Sequence, residues 1–170
     1  MYDPADVKLP ASFPADGQPN NPLAQWVHGE RGPDAESRWG PAVAGITEKE
    51  AREALALTYG MITMVDDMVG KIIDKLEALG LTEDTVVVFT SDHGDFQAAH
   101  GLIFKGPFHV DNVVRVPFIW ADPKNPSAVG STRALGSTLD LAQTILDRAR
   151  VEPYNGVQGQ SLHDVATGLK

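Results

Sequence analysis

Hydrophobic residues between positions 47 and 80 follow a helical period. Thr47 and Glu50 form a capping box, the side-chain pairing that opens many helices. Gly80 supplies a stop signal at the other end. In between, apolar or small residues recur every three or four positions, at Ala51, Leu55, Thr58, Ile62, Val65, Val69, Ile72, Leu76 and Leu79. The pattern predicts one long helix with these residues on one face.

Two short apolar runs and a second amphipathic stretch follow. Residues 85–90 are mostly β-branched or aromatic and predict a strand buried on both faces, as in parallel sheets. A second strand is predicted at 113–120, where Pro117 favours a sheet edge or a bulge. Ser137 opens a second helix over 138–149. The order of helix, turn and buried strand predicts an α/β fold with a mostly parallel sheet flanked by helices.

Both ends of the chain lack this regularity. Residues 1–46 hold seven of the twelve prolines, so we expect an irregular arm with at most one short helical turn. Residues 151–170 are rich in turn residues. We therefore divide the chain into an arm (1–46), an α/β core (47–150) and a turn-rich tail (151–170). An arm this long favours a segment that wraps over something else, or a missing upstream part.

Composition narrows the possible partners. Twenty-three acidic residues oppose fourteen basic ones, a net charge of −9 that disfavours nucleic acid and membranes as partners. The chain has no cysteine, which excludes disulfides, thiolate zinc sites and a cysteine nucleophile within it. No apolar run approaches the roughly 20 residues needed to span a bilayer, and the start does not resemble a signal peptide. We expect a soluble chain, cytoplasmic or periplasmic.

The candidate chemistry begins at Asp92 and His93, just past the predicted strand at 85–90. Open α/β sheets bind ligands at the carboxyl ends of their strands. A carboxylate beside an imidazole suits Mn²⁺, Zn²⁺ or Fe²⁺, and Ca²⁺ less well. The alternative is structural, because Asp-His pairs also cap turns or lie on the surface. Gly94 allows the backbone to leave the strand sharply.

A lysine strengthens the functional interpretation. Lys105 lies in a glycine-rich stretch thirteen residues after Asp92, and such a lysine beside a metal would stabilise charge that develops on a sulfuryl or phosphoryl group. His109 follows this stretch and is a candidate catalytic residue. His100 is interpreted as a structural, hydrogen-bonding histidine, and Asp95 as a turn cap or a neighbour of the site.

Taken together, these residues resemble the sulfatase family of the alkaline phosphatase superfamily. The likeness rests on an apolar strand that ends in Ser-Asp-His-Gly, then His-Gly-Leu, Lys-Gly and Arg-Val-Pro, over residues 86–117. It extends to Tyr59–Gly70, to the Asp-Leu pair at Asp140, and to Gln158–Leu162. The resemblance implies an alkaline phosphatase-like fold, incomplete in this chain.

The resemblance also implies roles. Asp92 and His93 would be metal ligands, and Lys105 would contact the sulfate or phosphoryl group. Many sulfatases carry Asn where this chain has His93. Histidine there is more like the phosphonate monoester hydrolase branch, and it shifts the expected metal from Ca²⁺ towards Mn²⁺ or Zn²⁺. The expected substrate is a small-molecule sulfate ester, or a phosphonate ester or phosphodiester.

This chain departs from the family pattern in its nucleophile. The family makes a formylglycine from Cys or Ser in a Cys/Ser-x-Pro-x-Arg motif, and the nearest match, Ser12–Asp16, ends in Asp. The Asp66-Asp67 pair lies within a predicted helix, where two adjacent side chains diverge by about 100° and cannot chelate together. We expect the 170 residues to be the middle of a longer enzyme, inactive alone, or a non-catalytic remnant. We also expect the isolated chain to associate with itself, since a central strand without its neighbours exposes apolar surface and an unpaired edge.

Overall fold

The computed structural model describes residues 1–16, 18–31, 43–125 and 130–166. Its α-helices are α1 (Pro22–Arg31), α2 (Glu48–Ala78), α3 (Asp111–Val114), α4 (Asp140–Ala149) and α5 (His163–Ala166). Its strands are β1 (Ala44–Gly45), β2 (Val87–Thr90), β3 (Leu102–Ile103) and β4 (Phe118–Ala121). Short 3₁₀ turns cover Pro4–Asp6, Thr82–Asp84 and Ala99–Gly101.

Helix α2 confirms the prediction from the periodic pattern. The Thr47 backbone N–H donates to Glu50 Oε2 at 2.9 Å, and the Glu50 N–H donates to Thr47 Oγ1 at 3.3 Å. At the other end Gly80 takes a positive φ of 68°, and the Leu81 N–H donates to the Leu76 carbonyl at 3.0 Å. These bonds satisfy the backbone groups that helix ends leave open.

The periodic face of α2 is only partly buried. Ala51 and Leu55 are buried, whereas Ile62, Ile72 and Leu79 are exposed by 56%, 61% and 56%. The helical period was therefore predicted correctly, and the buried residues of the helix lie in its first third. The core residues packed on α2 contact Ala51, Leu55 and Ala56 near its start.

The strands form two small antiparallel ladders. Strand β2 pairs with β4, with Val87 opposite Ala121 and Thr90 opposite Phe118. Strand β1 pairs with β3. The α/β class is confirmed, but these pairings are antiparallel where the sequence predicted a mostly parallel sheet. Each ladder of the described residues has two strands, and β2 is half-buried rather than covered on both faces.

The second predicted strand is shorter than expected. Asp111–Val114 form the helical turn α3 instead, and the extended ladder begins only after Pro117, at Phe118. Asp111 begins this turn and Arg115 pairs with it at 3.7 Å. Local hydrogen bonding thus overrides the β-branched composition at 113–114.

The predicted irregular arm contains a helix. Asn21 Oδ1 accepts the Ala24 N–H at 2.8 Å, and Pro22 is the first residue of α1. Both are standard helix-start signals, but they lie within a proline-rich stretch. Gly17 and residues 32–42 of the arm lie outside the described part of the chain, as do 126–129 and 167–170 of the later segments.

The chain divides into two compact units. Unit 1 comprises Met1–Lys75 and His93–Pro117, and unit 2 comprises Leu76–Asp92 and Phe118–Lys170. The core of unit 1 has two clusters, one around Leu55 and Ile46 and the other around Phe96, Leu102 and Val27. Within the described residues, no helix is long and apolar enough to cross a membrane.

Unit 2 is organised around α4. The buried Asp140 carboxylate accepts the Ser137 N–H and the Gln160 N–H, both at 2.8 Å. The hydroxyl of the fully buried Thr144 accepts the Leu162 N–H at 2.9 Å. These bonds hold the described part of the tail against the helix.

Candidate active site

The chain leaves β2 at Thr90 and enters the candidate site. Asp92 is exposed, and the Ser91 hydroxyl donates to its Oδ1 at 3.3 Å. The boundary between the two units falls at this point of the chain, because Asp92 belongs to unit 2 and His93 belongs to unit 1. The peptide bond between them holds their Cα atoms about 3.8 Å apart.

Gly94 brings the backbone against α3. Its N–H donates to the Val113 carbonyl at 2.8 Å, and a Cβ at this position would lie 2.0 Å from the Asn112 carbonyl oxygen. No side chain fits in that space. The glycine predicted to permit a sharp exit from the strand therefore also permits this close approach.

His93 and Lys105 meet within unit 1. His93 Nδ1 lies 2.9 Å from the Gly94 carbonyl oxygen, and its Nε2 is in hydrogen-bond contact with Lys105 Nζ. A carbonyl can only accept, so the proton belongs on Nδ1 and the lone pair on Nε2. The lysine ammonium then donates to that lone pair. The same lone pair is the one that His93 would offer to a metal.

Asp95 adds a carboxylate beside this pair. Its Oδ1 accepts the Gln97 N–H at 2.8 Å, so the predicted turn cap is confirmed. Burial raises the pKa of Asp95, while hydrogen bonds from the Gln97 and Phe104 backbones and the nearby charge of Lys105 oppose that rise. One carboxyl, one imidazole and one ammonium group therefore share a small region of unit 1.

The loop between Asp95 and Lys105 has an unusual backbone. Gln97, Ala98, His100 and Phe104 all take positive φ, at 48°, 69°, 57° and 68°. Such a conformation costs L-residues roughly 1–2 kcal/mol each. The burial of the neighbouring Phe96 and the backbone bond from its N–H to the Phe104 carbonyl, at 2.8 Å, hold the loop in place.

His28 supports this loop, a role that the sequence analysis did not predict. Its Nε2 lies 3.0 Å from the Gly101 carbonyl oxygen, 73 residues away along the chain. A Cβ on Gly45 would lie 2.9 Å from the imidazole ring. The ring therefore packs on the β1–β3 ladder, which leads directly to Lys105. A contact so distant in sequence leaves no local pattern.

The remaining candidates lie apart or on the surface. His109 is exposed. His100 Nδ1 lies 3.4 Å from Asn20 Oδ1, in keeping with the predicted hydrogen-bonding role. Asp66 and Asp67 are exposed on α2.

A cavity of about 210 Å³ lies beside the loop within unit 1. Ala54, Thr58 and Met61 of α2 form one wall, and Ile103 and Phe104 another. Asp95 is the charged residue among its lining groups. The cavity is therefore mostly apolar and ends close to the charged cluster.

Comparison with known proteins identifies the family. The sequence profile of the sulfatase family matches residues 14–151. The chain belongs to the sulfatase family. The predicted resemblance is thus confirmed.

The sulfatase relatives are much longer than this chain. It is 32% identical over 127 residues to the ulvan-active sulfatase of Formosa agariphila, covering 74% of this chain and 25% of that protein. It is 36% identical over 104 residues to the N-acetylglucosamine-6-O-sulfatase of Bacteroides thetaiotaomicron, covering 61% and 18%. The crystal structure of the phosphonate monoester hydrolase of Agrobacterium radiobacter matches with a TM-score of 0.68 and 32% identity, over 72% of this chain and 24% of that one. The chain therefore spans a quarter or less of each.

Two segments that carry the predicted resemblance, separate in the sequence, meet in unit 2. The Asp-Leu motif at Asp140 and the turn at Gln158–Leu162 are joined by the bonds from Gln160 and Leu162 to Asp140 and Thr144. Gly159 takes a φ of 93°, and a Cβ there would lie 2.5 Å from the Leu139 carbonyl oxygen. The geometry explains why this turn carries a glycine.

The described residues contain no group of three or more His, Cys, Asp or Glu side chains arranged to hold a metal ion. The Asp92 carboxylate and the His93 Nε2 lone pair nevertheless fit a divalent metal in kind, as hard and borderline donors. Protein metal sites ordinarily use three or four such groups.

Proposed function

We propose that this chain contributes part of the active site of a metal-dependent hydrolase of sulfate esters. The proposal rests above all on the contact of Lys105 with His93, in a chain of the sulfatase family. A cation held beside a metal-type donor is the arrangement that transfer of an anionic sulfuryl group requires.

Asp92 and His93 would hold the divalent metal, which would take the Nε2 lone pair of His93 in place of the Lys105 ammonium and leave that cation free to face the ester. When bound, the metal would act as a Lewis acid towards the ester oxygens. Ca²⁺ and Mn²⁺ are the expected ions and Zn²⁺ a further candidate. Membership of the sulfatase family supports a divalent metal. The remaining ligands would come from outside the residues that the structure describes.

Lys105 would balance negative charge on the sulfuryl group and on the leaving oxygen. Its ammonium is half-buried, so it would act with less screening than a surface lysine. Asp95 would hold this cation in place through charge and through its bond to the Phe104 backbone. His109, which is exposed, would act as a proton donor or acceptor only if substrate reaches it.

A phosphonate monoester or phosphodiester is the second candidate substrate. Two observations favour it: histidine at position 93, and the match to a phosphonate monoester hydrolase. The two ester classes have similar shape and charge, so the same residues would serve either. Parallel assays with an aryl sulfate and a phenylphosphonate ester would separate them in a complete enzyme.

We further propose that the 170-residue chain is inactive alone, because it has no formylglycine motif. An assay with 4-nitrophenyl sulfate should give no turnover above buffer, with or without Mn²⁺. Turnover that Asp92→Ala abolishes would contradict this and would mean that the chain carries its own nucleophile.

The metal ligands can be tested without activity. Mn²⁺ broadens NMR signals of the residues that bind it. We expect broadening to begin at Asp92 and His93 at millimolar Mn²⁺, and to disappear in His93→Ala. His163, which follows Leu162 in unit 2, is a matched reference histidine. Equal broadening at both histidines would contradict the proposed ligands.

A further inference from the structure

The proline-rich arm contacts one turn of unit 1. This turn covers Ala99–Gly101 and leads into β3. The His28 Nε2 lies 3.0 Å from the Gly101 carbonyl oxygen, and the His100 N–H donates to the Ser12 carbonyl oxygen at 3.2 Å. Ser12 and His28 both belong to the arm. The arm therefore packs against a segment that lies far from it in the sequence.

Asn20 reinforces this contact. Its Nδ2 donates to the Ser12 carbonyl oxygen at 3.1 Å, so that carbonyl accepts two N–H groups. Its Oδ1 lies 3.4 Å from His100 Nδ1. Three residues of the arm therefore bind the turn or each other; we call them the arm contact, and they are Ser12, Asn20 and His28.

The His28 bond is the part of the arm contact that lies closest to Lys105 along the chain. The Gly101 carbonyl oxygen that accepts it also accepts the Ile46 N–H, at 3.0 Å. Strand β3 begins at the next residue and pairs with β1, and Lys105 follows two residues after β3 ends. Movement of the Gly101 carbonyl would therefore move the ladder and, with it, the backbone of Lys105.

The loop between Asp95 and Lys105 needs such external support. Its four non-glycine residues with positive φ are in an unfavourable conformation, and backbone of this kind persists only where surrounding contacts hold it. The bond from the Phe96 N–H to the Phe104 carbonyl joins the two ends of the loop. The arm contact supports the turn between them. Loss of the His28 donor would therefore loosen a loop that cannot hold its own conformation.

We propose that His28 is a positioning residue for Lys105, on which it acts through the turn at Gly101. Its bond holds β3 in the position that places the Lys105 ammonium beside His93 Nε2. The catalytic value of this placement rests on the proposed function, in which the same ammonium faces the ester once a metal takes the His93 lone pair. A flat ring with an N–H at its tip suits the position, since a Cβ on Gly45 would lie 2.9 Å from the His28 ring.

The two histidines have opposite tautomers. His28 carries its proton on Nε2, because the Gly101 carbonyl can only accept. His93 carries its proton on Nδ1, because its Nε2 accepts from the Lys105 ammonium. Nitrogen NMR separates a protonated ring nitrogen from an unprotonated one, so the two ring signals of His93 report whether Lys105 is in place.

Nitrogen NMR of the histidine rings in the 170-residue chain, in metal-free buffer at a pH where both imidazoles are neutral, tests the proposal. His28→Phe keeps an aromatic ring and removes the N–H donor. We expect the separation between the two His93 ring signals to shrink, because the proton moves between the two nitrogens once Lys105 no longer donates to one of them. His28→Gln should restore the wild-type separation, since its amide N–H donates from the same position. Failure of this rescue would contradict the role of the donor.

Two further variants separate positioning from stability. Ala24→Gly is the matched control, because it weakens the same helix, α1, and leaves the hydrogen bonds of the arm contact in place. It should lower the melting temperature and leave the His93 signals as in the wild type. Asn20→Ala removes exposed bonds only, so it keeps the fold even if His28→Phe does not. It should change the His93 signals in the same direction by a smaller amount.

Unchanged His93 signals in folded His28→Phe would overturn the proposal; should that variant not fold, unchanged signals in Asn20→Ala would do so. An equal change in Ala24→Gly would mean that lost stability is the cause, and it would also overturn the proposal. The readout needs neither turnover nor a metal. A negative result would therefore count against the positioning role alone, whereas the ester assays decide the proposed function.

Discussion

At the scale of single residues, the candidate site depends on a glycine, which has no side chain, as well as on its charged side chains. Gly94 passes against the Asn112 carbonyl at a distance that excludes a Cβ. This close approach positions the backbone next to His93. Lys105 in turn contacts the His93 imidazole ring. The placement of the imidazole is therefore set by backbone packing as well as by its own hydrogen bonds.

Gly94→Ala should destabilise unit 1 by about 1–3 kcal/mol or more, because the backbone must move to admit the methyl group. Urea denaturation monitored by circular dichroism would measure the change. Gly70→Ala is the matched control. Nothing lies within 4 Å of its added Cβ, and alanine in an exposed helix should stabilise by about 0.5–1 kcal/mol. Loss of stability in the control but not in Gly94→Ala would contradict the packing described for Gly94.

The sequence indicated candidate site residues but not the residues that support them. Asp92, His93 and Lys105 were predicted because their order along the chain resembles that of the family. The contact between residues 93 and 105 is in keeping with that order. His28 and the left-handed backbone of Ala98 were not predicted, since the first depends on a contact 73 residues away and the second on buried packing that no local pattern encodes.

At the scale of secondary-structure elements, local sequence signals predicted the ends of the long helix correctly, whereas the pairing of the strands was predicted incorrectly. Capping residues at Thr47 and Gly80 set the ends of α2 correctly. The partner of β2 depends on other parts of the chain, and the antiparallel pairing with β4 was not predicted. Residues 113–114 show the same limit, because Asp111 starts a helical turn there despite the valines.

The Asp140 carboxylate connects α4 to the tail through hydrogen bonds. Its removal should therefore weaken the attachment of the tail to the helix. Asp140→Ala leaves two backbone N–H groups, at Ser137 and Gln160, without their acceptor. We expect a loss of about 2–3 kcal/mol in the stability of unit 2 and faster amide exchange at Gln160 and Leu162. Asp147→Ala is the control on the same helix, because it removes one exposed bond to Ser161. Unchanged exchange at Gln160 in Asp140→Ala would contradict the role of this carboxylate.

Strand β4 and α4 are joined by an ion pair that should respond to pH. Arg148 donates to both carboxylate oxygens of Asp122, and the Nη2–Oδ1 distance is 2.9 Å. The bond to Arg148 lowers the pKa of Asp122 below its usual 3.8, against the opposing effect of burial. A lowered folded pKa means that the stabilisation is complete above the usual value and is lost as the pH falls through the lowered one.

Asp122→Asn should therefore destabilise unit 2 by about 1–3 kcal/mol at pH 7. The difference from wild type should shrink below pH 3.8 as Asp122 becomes protonated. Chemical denaturation across this pH range would measure it. Asp84→Asn, which removes the exposed pair with Lys124, should change stability little. A difference that stays constant to low pH would mean that charge is not the cause.

At the scale of the whole molecule, the chain is a member of the sulfatase family that spans a quarter or less of the relatives compared here. Family membership was predictable because several short motifs occur in the right order over most of the chain. The exposure of the apolar residues in the later part of α2 was not predicted, because periodicity shows that a helix has an apolar side and says nothing about what covers it.

Three exposed methionines on α2 make this helix sensitive to chemical oxidation. Peroxide converts methionine to its sulfoxide, a polar side chain that disrupts apolar contacts. With no cysteine to react first, Met61, Met64 and Met68 are the exposed sulfur groups of α2. Each sulfoxide would make the surface of α2 more polar and would weaken its apolar contacts. Methionine sulfoxide reductase would reverse the change.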